Sequence, residues 1–283
     1  MTVHRREGQS VRRTPERIEV PSGLTRVAMP VVFGGHLPKH FGHFLLESLA
    51  RTWVYPTRHP GPLPFIHFRE RFHLHEEALL DAVLAPHGTT PLAVTTPSRF
   101  DSVLVPEQGM DLGSDYAPEM RATFDTIRDH LVESGLDPAE DPLYLSRTRL
   151  DRGRRATLGE HELERRLHRH GIRIVHPQEL ALSDQIRLIS SARTILGLHG
   201  TALHLGVFRD LPESRTIALN PRKPHPPQER VDRLRGSTHV HLHVQFPLHP
   251  RIPGAWDGRA VEVGPYRNFI VPPHAERKIL ATL

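Results

Sequence analysis

A histidine followed by a glycine interrupts an apolar stretch of the chain, the sequence "TILGLHGTALHLGVF" of Thr194–Phe208. His199 and Gly200 follow a predicted strand, and a short helix is predicted to begin at Thr201. A glycine loop that runs into a helix presents backbone N–H groups and the positive end of the helix dipole, which together bind anions. We therefore predict an anion site here, with His199 as a further hydrogen-bond donor. A tight turn whose histidine caps a local group is the competing interpretation.

Two arginines follow another predicted strand, in the segment "LYLSRTRLDRGRR" that begins at Leu143. A guanidinium group recognises phosphate oxygens through two parallel hydrogen bonds. Arg147 and Arg149 are therefore candidates for binding a phosphorylated ligand. A solvated basic face is the alternative, and it is favoured for the arginines of the helix that follows.

An acidic residue, Glu179, lies beyond a third predicted strand in the segment "IRIVHPQE". Acidic residues at the ends of strands accept hydrogen bonds from ribose hydroxyls in other nucleotide-binding folds. Glu179 is therefore a candidate nucleotide contact. An ordinary surface residue at the approach to a helix is an equally good interpretation.

The segment "KHFGHFLLESLARTW" carries a possible acid–base pair. If it is helical, His40, His43 and Glu47 lie on one face, because residues three and four apart are neighbours on a helix. A carboxylate one turn from a histidine can hold a general base in its working tautomer. Glu47 and His43 are therefore candidate catalytic residues, and either could accept the proton. A surface pair without catalytic function is the alternative.

Three histidines alternate along the segment "THVHLHV", which places His239, His241 and His243 on one face of a predicted strand. Neutral imidazoles bind zinc, copper, iron or nickel, so a metal-dependent hydrolase is an alternative function. No carboxylate motif accompanies these histidines. We therefore assign no metal site.

The elements that must position these residues alternate between strand and helix from about Ala28 to Val105, and again beyond Leu143. Such alternation is typical of α/β folds with mostly parallel sheets. Two prolines and a glycine in "GLDPAEDP", residues 135–142, mark the predicted boundary. We expect an N-terminal α/β domain over residues 1–140, a second over 141–250, and a tail over 251–283 that could pack back on the first domain.

Two local patterns complete the prediction beyond the boundary. Thr157 and Glu160 have the spacing of a capping box, which predicts a helix from Thr157 to about Arg169. The segment "NPRKPHPPQERVDRLRGS" is rich in proline and charge, which favours a surface loop.

The composition favours an anionic partner. Lys and Arg number 37 against 32 Asp and Glu, the formal net charge is +5 and the pI is about 10.0. Nucleic acid is one candidate, but the basic stretch from Arg147 to Arg173 has no aromatic residue to stack on bases. The chain has no cysteine, which excludes disulfides, cysteine-ligated zinc and a cysteine nucleophile. Neither a secretory signal nor a membrane-spanning run is evident, so we expect a cytoplasmic protein.

Three segments, "HFGHFLLESLAR", the long stretch from "LYLSRTRL" to "LHGTALHLGVF" and, weakly, "RTIAL", together resemble the family 61 glycosyltransferases. That group includes capsular polysaccharide biosynthesis proteins. The resemblance implies a GT-B-like architecture, in which two Rossmann-like α/β domains face each other across a cleft. It also implies inverting transfer of a sugar from a nucleotide diphosphate sugar to a glycan or other hydroxyl acceptor, with no required metal or further cofactor. Bacterial surface polysaccharide assembly is the expected setting, and peripheral membrane contact is possible.

The resemblance also suggests roles for the candidate residues. The second domain would bind the donor, with Arg147, His199 and the amides of Gly200 and Thr201 stabilising the departing diphosphate. Glu47, oriented by His43, would be the base on the opposite side of the cleft.

One departure from the family pattern falls in the loop. Relatives commonly have Gly-Pro-His-Gly followed by a Thr-Asn pair, whereas this chain has Leu198 for the proline and His204 and Leu205 for the pair.

Overall fold

Two parallel sheets organise the chain. The computed structural model describes residues 4–6, 9–11, 20–38, 40–69, 71–111, 113–132, 142–150, 157–220, 226–244, 246–247 and 269–283. The strands, in chain order, are β1 (His4–Arg6), β2 (Gln9–Val11), β3 (Thr25–Gly35), β4 (Phe65–His67), β5 (Pro91–Ala93), β6 (Ser98–Leu104), β7 (Leu143–Leu145), β8 (Thr157–Leu158), β9 (Arg173–Val175), β10 (Thr194–Leu198), β11 (Arg215–Asn220), β12 (Thr238–His243), β13 (Phe246–Pro247) and β14 (Phe269–Ile270).

Helices follow most of these strands. The α-helices are α1 (Phe41–His43), α2 (Val54–Arg58), α3 (Leu74–Leu84), α4 (Met120–Leu131), α5 (Glu160–Arg169), α6 (Leu182–Ser190), α7 (Pro226–Arg235) and α8 (Ala275–Leu280). A π-helical turn covers Phe44–Ser48, and 3-10 helices cover Leu49–Arg51, Ala85–His87, Pro177–Glu179 and Thr201–Phe208.

The first sheet has the strand order β5-β4-β3-β6, and all its pairs are parallel. In chain order this is 3-2-1-4, so the direction of strand addition reverses between β3 and β6. A ligand crevice forms outside the carboxyl ends of the strands at such a switch point. The helical segment that begins at α1 leaves the sheet at this end of β3.

The second sheet has the order β12-β11-β10-β7-β9 and is also parallel throughout. Its chain order is 5-4-3-1-2, which places its switch point between β7 and β10. Two parallel sheets confirm the predicted α/β class. Short antiparallel or mixed pairings link the remaining strands, β1 with β2 and β13-β14-β8.

A continuous apolar cluster joins elements of both sheets. Val32 and Phe65 contribute from the first sheet, and Leu145 and Ile195 from the second. Helix α4 lies between them, because its Phe124 ring packs edge-on against Phe208 with the centroids 5.6 Å apart. Each fully buried aromatic or aliphatic side chain contributes about 1.5–3 kcal/mol. The two sheets are therefore held together by shared apolar packing.

Helix α7 corrects the expected surface loop. Residues 221–225 lie outside the described part, but Pro226–Arg235 is helical and buries Gln228, Val231 and Asp232. Pro226 and Pro227 occupy the first turn, where proline is tolerated because the N–H groups there have no helical acceptor. The prolines therefore begin a helix in a segment whose proline and charge content predicts a surface loop.

The predicted capping box is also wrong. Helix α5 begins at Glu160, and its N-terminal neighbour Gly159 has a φ of +84°. Thr157 belongs to β8, where it pairs with Phe269 of β14. This pairing with a distant segment outweighs the local capping preference.

The described end of the chain, residues 269–283, packs beside the second sheet, whereas the prediction for the tail is packing on the first domain. His170, which directly follows α5, has its Nε2 2.8 Å from Glu276 Oε1 on α8, and Arg166 of α5 approaches the same carboxylate at 3.4 Å. Ile279 of α8 shares an apolar cluster with Leu163 of α5. The remaining tail residues, 251–268, lie outside the described part.

The close approach of this C-terminal segment to Gly159 predicts a stability difference between two glycine variants. A methyl group at Gly159 would overlap the Val271 carbonyl oxygen, whereas one at Gly171, which has a similar φ of +78°, meets nothing within 4 Å. Gly171→Ala should cost about 1–2 kcal/mol through backbone strain alone, and Gly159→Ala clearly more. Urea unfolding of both variants tests this, and equal losses would contradict the assigned contact.

Candidate active site

The switch point of the second sheet brings two predicted site residues together. Arg147 follows β7, and His199 follows the neighbouring strand β10. Arg147 Nη1 donates to the His199 carbonyl oxygen at 3.1 Å, and Nη2 donates to Thr157 Oγ1 at 3.1 Å. A positive charge therefore lies beside the glycine loop, at the position where open α/β sheets bind ligands.

The loop itself has the geometry expected of a strand end that leads into a helix. His199 N donates to the Leu219 carbonyl oxygen at 3.0 Å, which continues the pairing of β10 with β11 by one residue. Gly200 is extended, and a Cβ there would lie 3.3 Å from Arg147 Nη1. The helix that begins at Thr201 is of the 3-10 type. Gly200 therefore leaves room for the guanidinium group.

A buried carboxyl group holds the turn that carries Arg147. Glu160 is 3% exposed and accepts hydrogen bonds from the Arg147 backbone N–H and the Tyr144 hydroxyl, both at 3.1 Å. Burial raises the pKa of Glu160, and the Arg147 charge and the hydrogen bonds oppose that rise. Glu160 thus acts on the site through the backbone of Arg147. The spacing of Thr157 and Glu160, which predicts a capping box, gives no indication of this role.

Arg149 and Glu179, both predicted to contact the nucleotide, pair with each other. Arg149 Nη1 donates to Glu179 Oε2 on the side of the second sheet where β7 meets β9. Both side chains are about half exposed. Exposed pairs contribute about 0–1 kcal/mol to stability, so this pair can open without a large cost.

The predicted His–Glu pair is present in the helical segment that follows β3. His43 Nδ1 lies 2.5 Å from Glu47 Oε2, with the imidazole 42% exposed and the carboxylate 9% exposed. Glu47 lies in the π-helical turn Phe44–Ser48, where the sequence analysis predicted one regular helix. Such turns occur frequently at functional sites. The hydrogen bond joins a largely buried carboxylate to an accessible imidazole.

This segment touches the glycine loop of the other sheet. A Cβ at Gly42 would lie 3.0 Å from Thr201 Cγ2 and 3.4 Å from His204 Cδ2. Gly42 immediately precedes His43, and Thr201 immediately follows Gly200. The acid–base pair and the predicted anion loop are therefore neighbours across the boundary between the two sheets.

Two residues of this region, Tyr116 and Arg230, were missed by the sequence analysis. Burial raises the pKa of Tyr116, the charges of Glu47 and Asp111 raise it further, and the charge of Arg230 opposes the rise. Tyr116 therefore lies within electrostatic range of both Glu47 and Arg230. Their separation along the chain left no sequence signal.

A chain of buried hydrogen bonds lies next to the loop. It includes His204, one of the residues at which this sequence differs from the family pattern. His204 Nδ1 lies 2.9 Å from Gln228 Oε1, and Gln228 Nε2 donates to the Asp232 carboxylate at 3.3–3.4 Å. Asp232 also accepts from Thr216 at 2.6 Å and from Arg209 at 3.4 Å. His204 is thus held by a network in which Asp232 and Arg209 are almost fully buried.

Two of the alternating histidines of β12 contact polar side chains of neighbouring elements. His239 Nδ1 lies 2.7 Å from Asp232 Oδ2, and His241 Nδ1 lies 3.3 Å from Asn220 Nδ2. Burial and the two neighbouring histidines lower the pKa of His241. Within the ranges that the structure describes, no group of three or more His, Asp or Glu side chains could hold a metal ion.

The basic stretch considered for nucleic acid is partly neutralised. On α5, Arg165 and Arg166 both pair with Glu162. Arg152, Arg154 and Arg155 lie outside the described residues. Arg165 and Arg166 thus form ordinary helix-surface ion pairs.

The sequence model of the family described as Glycosyltransferase 61 matches residues 41–218. The chain belongs to this family. The matched range begins at α1 and ends within β11, so it contains the His43–Glu47 pair, Arg147 and the loop at His199. Membership in family 61 makes the protein a glycosyltransferase, which acts on a sugar donor and an acceptor. No match was found among curated proteins. None of the described helices is long and apolar enough to cross a membrane.

The buried Glu160 of this family 61 protein predicts a pH effect on stability. Its pKa is higher in the folded state than in the unfolded state, so its contribution to stability is greatest at low pH. This contribution is lost as the pH rises through the folded-state pKa. Glu160→Gln should therefore gain stability relative to the wild type as the pH rises from about 4 to 8.

The matched control is Glu162→Gln on the same helix, because hydrogen bonding to Arg166 lowers the pKa of Glu162. The stability of Glu162→Gln relative to the wild type should fall slightly over the same pH range. The reason is that the wild-type Glu162 carboxylate stabilises the fold above its unfolded-state pKa, and the variant lacks this contribution. Urea unfolding at several pH values measures both trends. Parallel pH dependences of the two variants would show that Glu160 is not buried as described.

Proposed function

We propose that this family 61 enzyme transfers a sugar, with inversion, from a nucleoside diphosphate sugar to a hydroxyl group of a glycan or similar acceptor. The observation that carries the proposal is the contact of Gly42 with Thr201, which brings the His43–Glu47 pair next to the loop beside Arg147. Displacement of a diphosphate by a hydroxyl group requires two groups: a proton acceptor, and a positively charged site that binds the departing anion.

The donor diphosphate would lie at the switch point between β7 and β10. As the bond between the anomeric carbon and the diphosphate oxygen breaks, the electron pair stays on that oxygen. The Arg147 guanidinium group, the His199 side chain and the N–H groups of Gly200 and Thr201 would stabilise the developing charge. Arg149 and Glu179 would exchange their mutual ion pair for contacts with phosphate and ribose.

The acceptor would approach from the side of the first sheet. Glu47 would accept the proton of the attacking hydroxyl group as the new bond to the anomeric carbon forms, and His43 would fix the carboxylate by donating its Nδ1–H. Attack and departure on opposite faces of the sugar invert the anomeric configuration. Arg147 supplies the positive charge that a divalent metal provides in other transferases, so we propose that transfer proceeds without a metal.

This assignment corresponds to a GT-B-like division of labour, with an acceptor-side domain over residues 1–140 and a donor-side domain from residue 141. The two parallel sheets with separate switch points support it. We further propose that the enzyme acts in the cytoplasm on bacterial surface polysaccharide. The basis for that setting is the family resemblance.

Nucleotide binding tests the donor assignment. UDP, GDP, CDP and TDP are titrated calorimetrically in the presence of a chelator, and one or more should bind the wild type. Arg147→Met should weaken binding about tenfold or more, because it removes charge-assisted hydrogen bonds. Arg165→Met serves as the control, since Arg165 lies on the exposed surface of α5. Failure of every nucleotide to bind at millimolar concentration would overturn the donor site.

Transfer kinetics test the proposed base. Glu47→Gln preserves the shape of the side chain and removes its basicity, so turnover should fall by about 10²–10⁴-fold while nucleotide binding is unchanged. Release of nucleoside diphosphate in the presence of acceptors measures turnover. His43→Gln should reduce turnover less, because it removes orientation only. Normal turnover of Glu47→Gln would exclude Glu47 as the base.

A further inference from the structure

Arg51 lies at the carboxyl end of the first sheet, and none of the acidic residues that the structure describes pairs with it. It ends the helical segment that carries His43 and Glu47. Its guanidinium carbon lies 5.7 Å from the centre of the Phe33 ring on β3, and Nη1 lies 3.8 Å from the position of a Cβ at Gly35. The guanidinium group is therefore held against the last residues of β3.

The surroundings of Arg51 leave its charge uncompensated. Burial lowers its pKa, its Nε is buried without a hydrogen-bond partner, and no carboxylate among the described residues lies within ion-pair distance. Arg69, at the neighbouring strand end, differs because it pairs with Glu76 at 2.6 Å. Contact with an aromatic face compensates only about 0.5–2 kcal/mol of the cost of burying a charge. The environment of Arg51 thus favours an anion.

The position of Arg51 is that of a ligand site. β3 is one of the two strands at the switch point of the first sheet, where a crevice forms outside the strand ends. Phe68, just beyond β4, is 51% exposed, and its ring lies edge-on to Phe33 with the centroids 5.9 Å apart. Its backbone N–H donates to the Gly35 carbonyl oxygen at 3.2 Å. An exposed aromatic ring therefore borders the same strand end as the guanidinium group.

We propose that Arg51, Phe33 and Phe68 form an acceptor subsite for a saccharide that carries a carboxylate or a phosphate group. The inference rests on the proposed function, because it names the chemical class of the acceptor. The guanidinium group binds the anionic group through paired hydrogen bonds, and the aromatic rings pack against the apolar face of the sugar. Glu47 lies four residues before Arg51 on the same segment, so one element carries both the base and the anion subsite.

Matched monosaccharides test the subsite. Glucuronate, glucose 6-phosphate and glucose are titrated calorimetrically into the full chain, and one or both charged sugars should bind more tightly than glucose. The response to glucuronate against glucose 6-phosphate distinguishes a carboxylate from a phosphate ligand. Arg51→Met should weaken the charged sugars about tenfold or more and leave glucose unchanged.

Three further variants separate charge, stacking and fold. Arg51→Lys keeps the charge without the paired donors, so its affinity for the charged sugars should lie between those of the wild type and Arg51→Met. Phe68→Ala should weaken all three sugars by a similar factor. Arg58→Met, at the exposed end of α2, should bind like the wild type. Urea unfolding checks that each variant folds. If Arg51→Met does not fold, Arg51→Lys provides the test.

The proposal is overturned if none of the three sugars binds, if glucose binds as tightly as the charged sugars, or if the folded Arg51 variants retain wild-type affinity for them. The same samples are also titrated with UDP, GDP, CDP and TDP. This second titration distinguishes a failure of the acceptor subsite from a failure of the proposed function. Nucleotide binding without selective sugar binding refutes only the acceptor subsite. If none of these nucleotides binds the wild type, the donor site on which the proposed function depends is refuted.

Discussion

The close contact between Gly42 and the segment at Thr201 and His204 is the constraint on which the rest of the site depends. A Cβ at position 42 would lie 3.0 Å from Thr201 Cγ2, which is tighter than an ordinary van der Waals contact, so a side chain there would require the Thr201 side chain to shift. Each of the two touching segments leaves the carboxyl end of a switch-point strand, β3 in the first sheet and β10 in the second. The contact therefore fixes both crevices with respect to each other. Residues that are far apart in sequence acquire a common boundary in this way.

Buried polar groups make this contact specific. The apolar cluster shared by the sheets supplies attraction, but apolar contacts alone tolerate several arrangements. The chain from His204 through Gln228 to Asp232 requires one arrangement, because leaving any of these buried groups without its partner costs about 1–3 kcal/mol. Glu160 has the same effect on the other side of the loop through the backbone N–H of Arg147. Both sides of the loop are thus held by hydrogen bonds that tolerate little displacement.

Local pattern was sufficient to predict the parallel α/β class, the strand, glycine loop and helix at β10, and the pairing of His43 with Glu47. It failed where distant segments decide the structure. Thr157 lies in a strand because residues near Phe269 pair with it, and α7 is a helix whose buried face meets elements far away in sequence. The π-helical turn at Glu47 and the positions of Tyr116 and Arg51 depend in the same way on packing between segments, which no spacing in the sequence encodes.

The excess of basic residues acquires a structural explanation from where the arginines lie. Several form ion pairs inside the fold: Arg209 is fully buried beside Asp232, and Arg235 pairs with Asp125. Others pair with acids on helix surfaces and contribute little to an extended basic face. Arg147 and Arg51 differ, because each stands at the switch point of its sheet. Each parallel sheet thus has an arginine at the carboxyl end of a switch-point strand, which suits the binding of a discrete anion and is consistent with the anionic donor and acceptor that we propose.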